Sequence, residues 1–152
     1  MTPNAILKRG RTVWDRSKVS SIEFGQRLGK LQMKMAENGI QLLLIYGDQN
    51  DYGDICWVSG YVPKRGWAVV AVTNQGEPVL ICGHGSRELK FTRTITWVED
   101  VKAADSLLSL AQSIRGLIAE NESKQGLIGL AGLRERATYG LWQTIADQLG
   151  DH

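Results

Sequence analysis

The chain has 152 residues, 43% of them apolar and 22% charged, with a net charge of +2. That length makes one ordinary domain, able to bury a core without disulfide or metal staples, and the composition is average for a globular protein. No apolar run approaches the roughly 20 residues of a membrane span, so no membrane partner is expected. The charge is uneven: up to Lys34 there are eight bases against two acids, Asp15 and Glu23. These bases are scattered rather than grouped in blocks of about five or six, so they read as a solvated arm and helix face, and nucleic acid is not an expected partner.

Residues 1–19 show no hydrophobic period and read as an N-terminal arm, with 20–152 as one domain. The opening "MTPNAILKRGRTVWDR" lacks a continuous apolar stretch and a small-residue cleavage site, so it is not a secretory signal, and a cytoplasmic location is expected. Ser20 and Glu23 have capping-box spacing, and Phe24, Leu28, Leu31 and Met35 recur at helical intervals until Gly39 stops the helix. "IQLLLIYG" (40–47) is an apolar run suited to a strand buried on both faces. "DICWVSG" (54–60) and "WAVVAVT" (67–73) read as two more strands. "EPVLIC" (77–82) follows the turn "NQG", which makes 67–82 an antiparallel hairpin. One or two helical turns are expected over Ser86–Phe91, then a strand at "TITWV" (94–98). Leu107, Leu110, Ala111, Ile114, Leu117 and Ile118 define a longer amphipathic helix. "GLIGLAG" (126–132) is a last strand, and Trp142, Ile145 and Leu149 share one face of a final helix closed by Gly150. A strand meander followed by alternating strands and helices gives an α/β fold, a mixed sheet covered by helices.

Little in this chain offers catalytic chemistry. A metal centre needs three or more ligands converging on one point, and the histidines are His84 and the terminal His152. Asp48, Asp51 and Asp54 in "GDQNDYGD" lack the alternate-position order of a calcium loop and suit turns better. "ICGHGSRE" (81–88) has a glycine-rich strand-to-helix turn but neither the third glycine of a dinucleotide fingerprint nor the Lys-Ser/Thr of a phosphate loop. Its glycines serve a tight turn with Ser86 as N-cap. Cys56 and Cys82 sit inside apolar runs without CxxC spacing, as expected of buried, reduced thiols. No nucleophile has a base beside it, so no catalytic residue and no metal ligand is assigned in this chain.

The stretch "DICWVSGYVPKRGW" (54–67) carries the remaining candidates. In an extended strand Trp57, Ser59 and Tyr61 share one face, with Lys64 and Arg65 at the tip of the loop that follows. Either these rings plug the sheet and the basic tip is solvated, or Trp57, Tyr61, Lys64 and Arg65 form a rim that meets substrate or a partner. Trp, Tyr and Arg are favoured interface anchors, which supports the second reading.

Taken together, "RLGKLQMKMAENGIQLLLIYG" (27–47), "CWVSGY" (56–61), "GWAVVAVTNQGEPVLIC" (66–82) and "GLIGLAGL" (126–133) resemble the N-terminal domain of the creatinase, prolidase and Xaa-Pro aminopeptidase family. The order and spacing of these segments carry the resemblance over about residues 20–150. It implies a ribonuclease-H-like topology, a mixed sheet of about six strands with helices on both faces. It also implies a second, C-terminal domain of pita-bread fold holding two divalent metal ions (manganese, zinc or cobalt); none of that domain's motifs occurs here. The chain is therefore expected to be the N-terminal part of a longer protein.

The function so implied is a non-catalytic domain of a metal-dependent Xaa-Pro peptidase. It would help form a homodimer and wall the active-site entrance, with the catalytic domain of the same parent chain as partner. Creatine or another small molecule is an alternative substrate. Two other readings stand beside it: a ribonuclease-H-like domain acting on or binding nucleic acid, and a stand-alone dimerisation module. The nucleic-acid enzyme needs clustered carboxylates beginning inside the first strand, and "QLLLIY" has none.

Overall fold

A computed structural model describes residues 17–121 and 126–149. Most of the arm, with Lys8, Arg9, Arg11 and Arg16, and the stop at Gly150 lie outside the described residues. In chain order the elements are α1 (Ser21–Glu37), β1 (Ile40–Asp48), α2 (Gly53–Ser59), β2 (Trp67–Thr73) and β3 (Val79–Cys82). A 3-10 turn (Ser86–Glu88), α3 (Leu89–Thr92), β4 (Asp100–Ala103), α4 (Leu107–Asn121), β5 (Leu127–Ala131), α5 (Leu133–Arg136) and α6 (Tyr139–Leu149) follow.

Local chemistry sets the first turn and the last. Ser20 Oγ accepts the Glu23 amide at 3.2 Å and closes the start of α1. The Glu23 carboxylate pairs with Arg27 at 2.7 Å rather than completing a capping box. At the other end Gly39 takes φ 68°, and its amide and that of Asn38 bond to Ala36 and Met35.

The sheet has five strands in the order β4-β3-β2-β1-β5. β1, β2 and β3 form an antiparallel meander, and β4 and β5 lie parallel to β3 and β1 at the two edges. Alternate side chains divide the core into two layers. Ile45, Ala68, Val70, Val72, Leu80 and Cys82 meet Leu28 and Met35 of α1 and Ile55 and Val58 of α2. On the opposite face Leu42, Leu44, Val69, Ala71 and Ile81 meet Leu110 and Ile114 of α4, Leu133 of α5, and Leu141 and Ile145 of α6. The expected mixed sheet with helices on both faces is present, with five strands where about six were expected.

Two expected strands are replaced. Residues 54–59 lie in α2, not a strand: Ile55, Val58 and Ser59 are buried at i, i+3 and i+4, while Trp57 faces out, 44% exposed. Gly60, at φ 71°, ends the helix in the left-handed region and donates its amide to the Cys56 carbonyl. An added Cβ there would also lie 3.1 Å from the Phe24 ring. The second correction follows from the first. Residues 94–98 form turns rather than a strand because their polar groups serve the end of α2. Thr96 Oγ1 donates to the Ser59 carbonyl at 2.6 Å, and the Trp97 indole donates to the Val58 carbonyl at 2.7 Å. Trp97 also stacks on Phe24 with ring centroids 5.7 Å apart. The edge strand β4 begins only at Asp100. Cys82 is buried in a strand as expected, whereas Cys56 is half-buried on α2. Gly85, not Ser86, occupies the cap position of the 3-10 turn.

Thr96→Val keeps the shape of this buried side chain but removes the hydroxyl that serves Ser59 and accepts the Val98 amide at 3.2 Å. Losing both bonds, with only the Trp97 amide at 3.4 Å left to the Ser59 carbonyl, should lower stability by about 1–3 kcal/mol. The check is a urea unfolding midpoint at unchanged slope; an unshifted midpoint would mean that α2 is held by other contacts.

Candidate functional site

Strand pairing brings several loops to one end of the sheet. Asp48 lies opposite Trp67, Ala68 opposite Cys82, and Cys82 opposite Ala103, while Ile45 lies beside Ala131. The carboxyl ends of β1, β3, β4 and β5 therefore share an edge with the amino end of β2. The segments 49–52, 60–66, 83–92 and 104–106 all leave from it.

The loop between α2 and β2 turns outward at Gly60 and back in at Gly66, whose φ is 63°. Between them the four sequence candidates separate. Tyr61 is 3% exposed, so its ring is a core group beneath the loop and not part of a rim. Trp57 stands on the outer side of α2, where the Arg27 guanidinium lies 5.7 Å from its ring and donates to its carbonyl at 3.2 Å. Their expected common strand face does not exist, because a helix turns Trp57 away from Tyr61.

Lys64 and Arg65 do come together, with residues that sequence reading left out. They line a cleft of about 400 Å³ with Arg87, Glu88 and Phe91. Lys64 Nζ sits 3.5 Å from the centroid of the Phe91 ring, a cation-π contact that holds the ammonium at the cleft. Arg65, Arg87 and Glu88 are exposed. The available signal for Arg87 and Phe91 was their spacing of four, which puts both on one side of a helical turn.

Under this cleft runs a chain of polar contacts. The Tyr61 hydroxyl neighbours the Cys82 thiol and the Thr92 hydroxyl, Thr92 Oγ1 lies 3.0 Å from His84 Nε2, and His84 Nδ1 lies 3.1 Å from the Gly85 carbonyl. Burial, more than any charge, pushes the Cys82 thiol up to about 12 and raises Tyr61 as well. Both stay protonated at neutral pH, so Cys82 is no nucleophile. Burial also raises Cys56, against the opposing pull of Arg27. Gly83 is required here: a Cβ would lie 2.6 Å from the Trp67 ring.

The aspartates at the same sheet end serve structure. Asp48 Oδ1 accepts the Asn50 and Asp51 amides at 2.7 and 2.9 Å. The backbone bond to Asp51, with that to Asn50, holds the Asp48 carboxyl below its usual range. Arg136 of α5 reaches Asp51 at 3.0 Å and Asp54 at 3.2 Å, tying the β1–α2 loop to the opposite helical layer. Among the described residues no three His, Cys, Asp or Glu side chains are grouped to hold a metal ion.

A family model for the creatinase/prolidase N-terminal domain matches residues 27–151. The chain belongs to that family. Among curated proteins none matches the sequence. Solved structures share the fold of this creatinase/prolidase N-terminal domain. A Xaa-Pro aminopeptidase from Streptococcus pyogenes superposes with a TM-score of 0.61 at 19% identity, over 84% of this chain and 85% of that one. The X-Pro aminopeptidase from Thermotoga maritima gives 0.59 at 21% identity, over 82% of this chain and 32% of that one. The N-terminal domain of an X-Pro dipeptidase from S. pyogenes gives 0.56 at 14% identity, over 80% and 92%. The domain thus spans about a third of the T. maritima protein.

If Tyr61 is a core group, Tyr61→Ala should lower stability by about 3 kcal/mol or more. Lys64→Ala and Arg65→Ala should stay within about 1 kcal/mol of wild type. Denaturant midpoints of the three variants give the comparison, and a harmless Tyr61→Ala would return that ring to the surface.

A second expectation concerns alkali. The thiol of Cys82 moves from 9.0 to about 12 and the phenol of Tyr46 from 10.0 to about 12, both chiefly through burial. A raised acid holds its proton more firmly in the folded chain, so this contribution is complete below pH 9 and is lost as pH rises towards 12. The unfolding midpoint should therefore fall between pH 8 and pH 11, and Cys82→Ala should flatten that fall. A midpoint constant across this range would contradict the burial of both groups.

Proposed function

We propose that this creatinase/prolidase N-terminal domain is the non-catalytic partner of a metal-dependent catalytic domain in an Xaa-Pro peptidase. The loop-bearing sheet end, with Lys64 and Arg65, forms part of the wall of the active-site entrance. The domain also contributes to a homodimer. The observation that carries this reading is the family match over 27–151, joined to the gathering of loops at one sheet end. Solved proteins of the same fold are named as Xaa-Pro aminopeptidases and prolidases. The pair of divalent ions, manganese, zinc or cobalt, belongs in this reading to the catalytic domain, since the described residues of this chain provide no matching ligand set.

The nucleic-acid alternative is weaker. The carboxylate of β1 is Asp48, at the strand's last position, and the Asn50 and Asp51 amides already occupy one of its oxygens. A magnesium-dependent nuclease would need that group free and others beside it. As to membranes, no helix among the described residues is long and apolar enough to cross one.

The purified chain should not hydrolyse Xaa-Pro dipeptides or creatine, with or without added manganese or zinc. The parent enzyme should cleave Xaa-Pro peptides in a chelator-sensitive way, and sedimentation of the chain at high concentration should show self-association. Metal-dependent turnover by the homogeneous chain would overturn the non-catalytic assignment. A strict monomer would remove the dimer from the proposal.

A further inference from the structure

The outward face of α1 carries apolar and uncharged residues where a surface helix ordinarily carries charge. Phe24, Leu28 and Met35 are buried against the core. The positions on the opposite side of the helix are Ile22, Gln26, Gly29, Met33 and Ala36, all exposed. Ile22 is 73% exposed and Met33 55%. Every charged residue of α1 lies to one flank of that face: Glu23, Arg27, Lys30, Lys34 and Glu37. Lys30 has no acidic partner within 4 Å among the described residues. The pairs Glu23–Arg27 and Lys34–Glu37 stand at the surface, where an ion pair contributes little and exchanges partners readily. Packing within this chain does not require Gly29, since an added Cβ there would meet no atom within 4 Å.

We infer that this face of α1 docks on the same face of a second copy, the two helices running antiparallel about a two-fold axis. The face is complementary to itself, which is what a two-fold contact uses. Ile22 and Met33 lie on one line of the helix, about 16 Å apart. An axis midway between them sets each Ile22 against Met33 of the second copy. The same rotation sets Gln26 opposite Gly29, where the missing side chain leaves room for the amide. On the charged flank Glu23 falls between Lys30 and Lys34 of the second copy, so acid meets base across the contact. A parallel pair would turn the charged flanks to opposite sides and align the helix dipoles, whereas the antiparallel pair opposes them. One helix pair covers less than the roughly 1,200–2,000 Å² of a stable interface, so the isolated chain dimerises weakly. That a dimer exists rests on the function proposed above; the choice of face rests on α1 alone.

Sedimentation equilibrium of the full 152-residue chain over a wide concentration range reads the contact. Wild type should dimerise, and Met33→Lys should raise the dissociation constant about tenfold or more at an unchanged unfolding midpoint. Glu23→Lys should weaken the dimer, and so should Lys30→Glu combined with Lys34→Glu. An equimolar mixture of those two variants should associate again, because each then meets its opposite charge. In a Cys56→Ala background, Ile22→Cys and Met33→Cys chains should form a disulfide when mixed under oxidation and not when kept apart. A dimer indifferent to Met33→Lys, or a charge mixture that fails to reassociate, would move the interface elsewhere and leave the proposed homodimer standing. A strict monomer would remove the face and the dimer together. A lowered midpoint for Met33→Lys with unchanged association would show the face packed against its own chain, which also overturns the assignment.

Discussion

The carboxyl end of α2 governs much of the rest of the chain. A helix leaves its last carbonyls without partners, and buried ones must be answered. Here the Gly60 amide answers Cys56, the Arg27 guanidinium Trp57, the Trp97 indole Val58, and the Thr96 hydroxyl and Trp97 amide together Ser59. Thr96 and Trp97 come from beyond the β2–β3 hairpin, so residues 94–98 are drawn off the sheet to reach α2. The sheet consequently ends on a four-residue β4. The left-handed turn at Gly60 sends the following residues outward, and Tyr61 drops into the core as they go. A seven-residue helix thereby decides both the strand count and the aim of the basic loop.

The loop is anchored from below and open above. Tyr61 ties it to Cys82 at the end of β3 and to Thr92 of α3, and His84 closes that chain of contacts. Tyr61 and Cys82 keep their protons at neutral pH, which suits a scaffold. The charged groups stand at the surface, where water carries the burden of their mutual repulsion. On the other side of β1, Arg136 bridges Asp51 and Asp54 and keeps the neighbouring loop in place.

Membership in the creatinase/prolidase N-terminal domain family explains the sheet and its two helical layers, but a shared fold does not by itself confer chemistry. The domain corresponds to about a third of the T. maritima X-Pro aminopeptidase. Its own polar side chains form turns, caps and ties between layers.

Read alone, the sequence determined α1, the β2–β3 hairpin, β5 and the two long C-terminal helices. Each rests on a repeat or cap within a few residues: Ser20 with Glu23, Phe24 with Leu28, or "NQG" between two apolar runs. It also placed Lys64 and Arg65 on a loop. Only the tertiary structure decided that Ile55–Ser59 is helical, because a short apolar run fits strand and helix equally. The donors that settle it stand 37 and 39 residues away. The same holds for the cleft, since Arg87, Glu88 and Phe91 reach Lys64 through the pairing of Ala68 with Cys82. Tyr61, an aromatic beside a basic loop, carries no local mark of being a core residue. Periodicity and capping act within one turn of chain and leave a pattern there, whereas hydrogen bonds and charge contacts between distant segments exist only once the sheet has assembled.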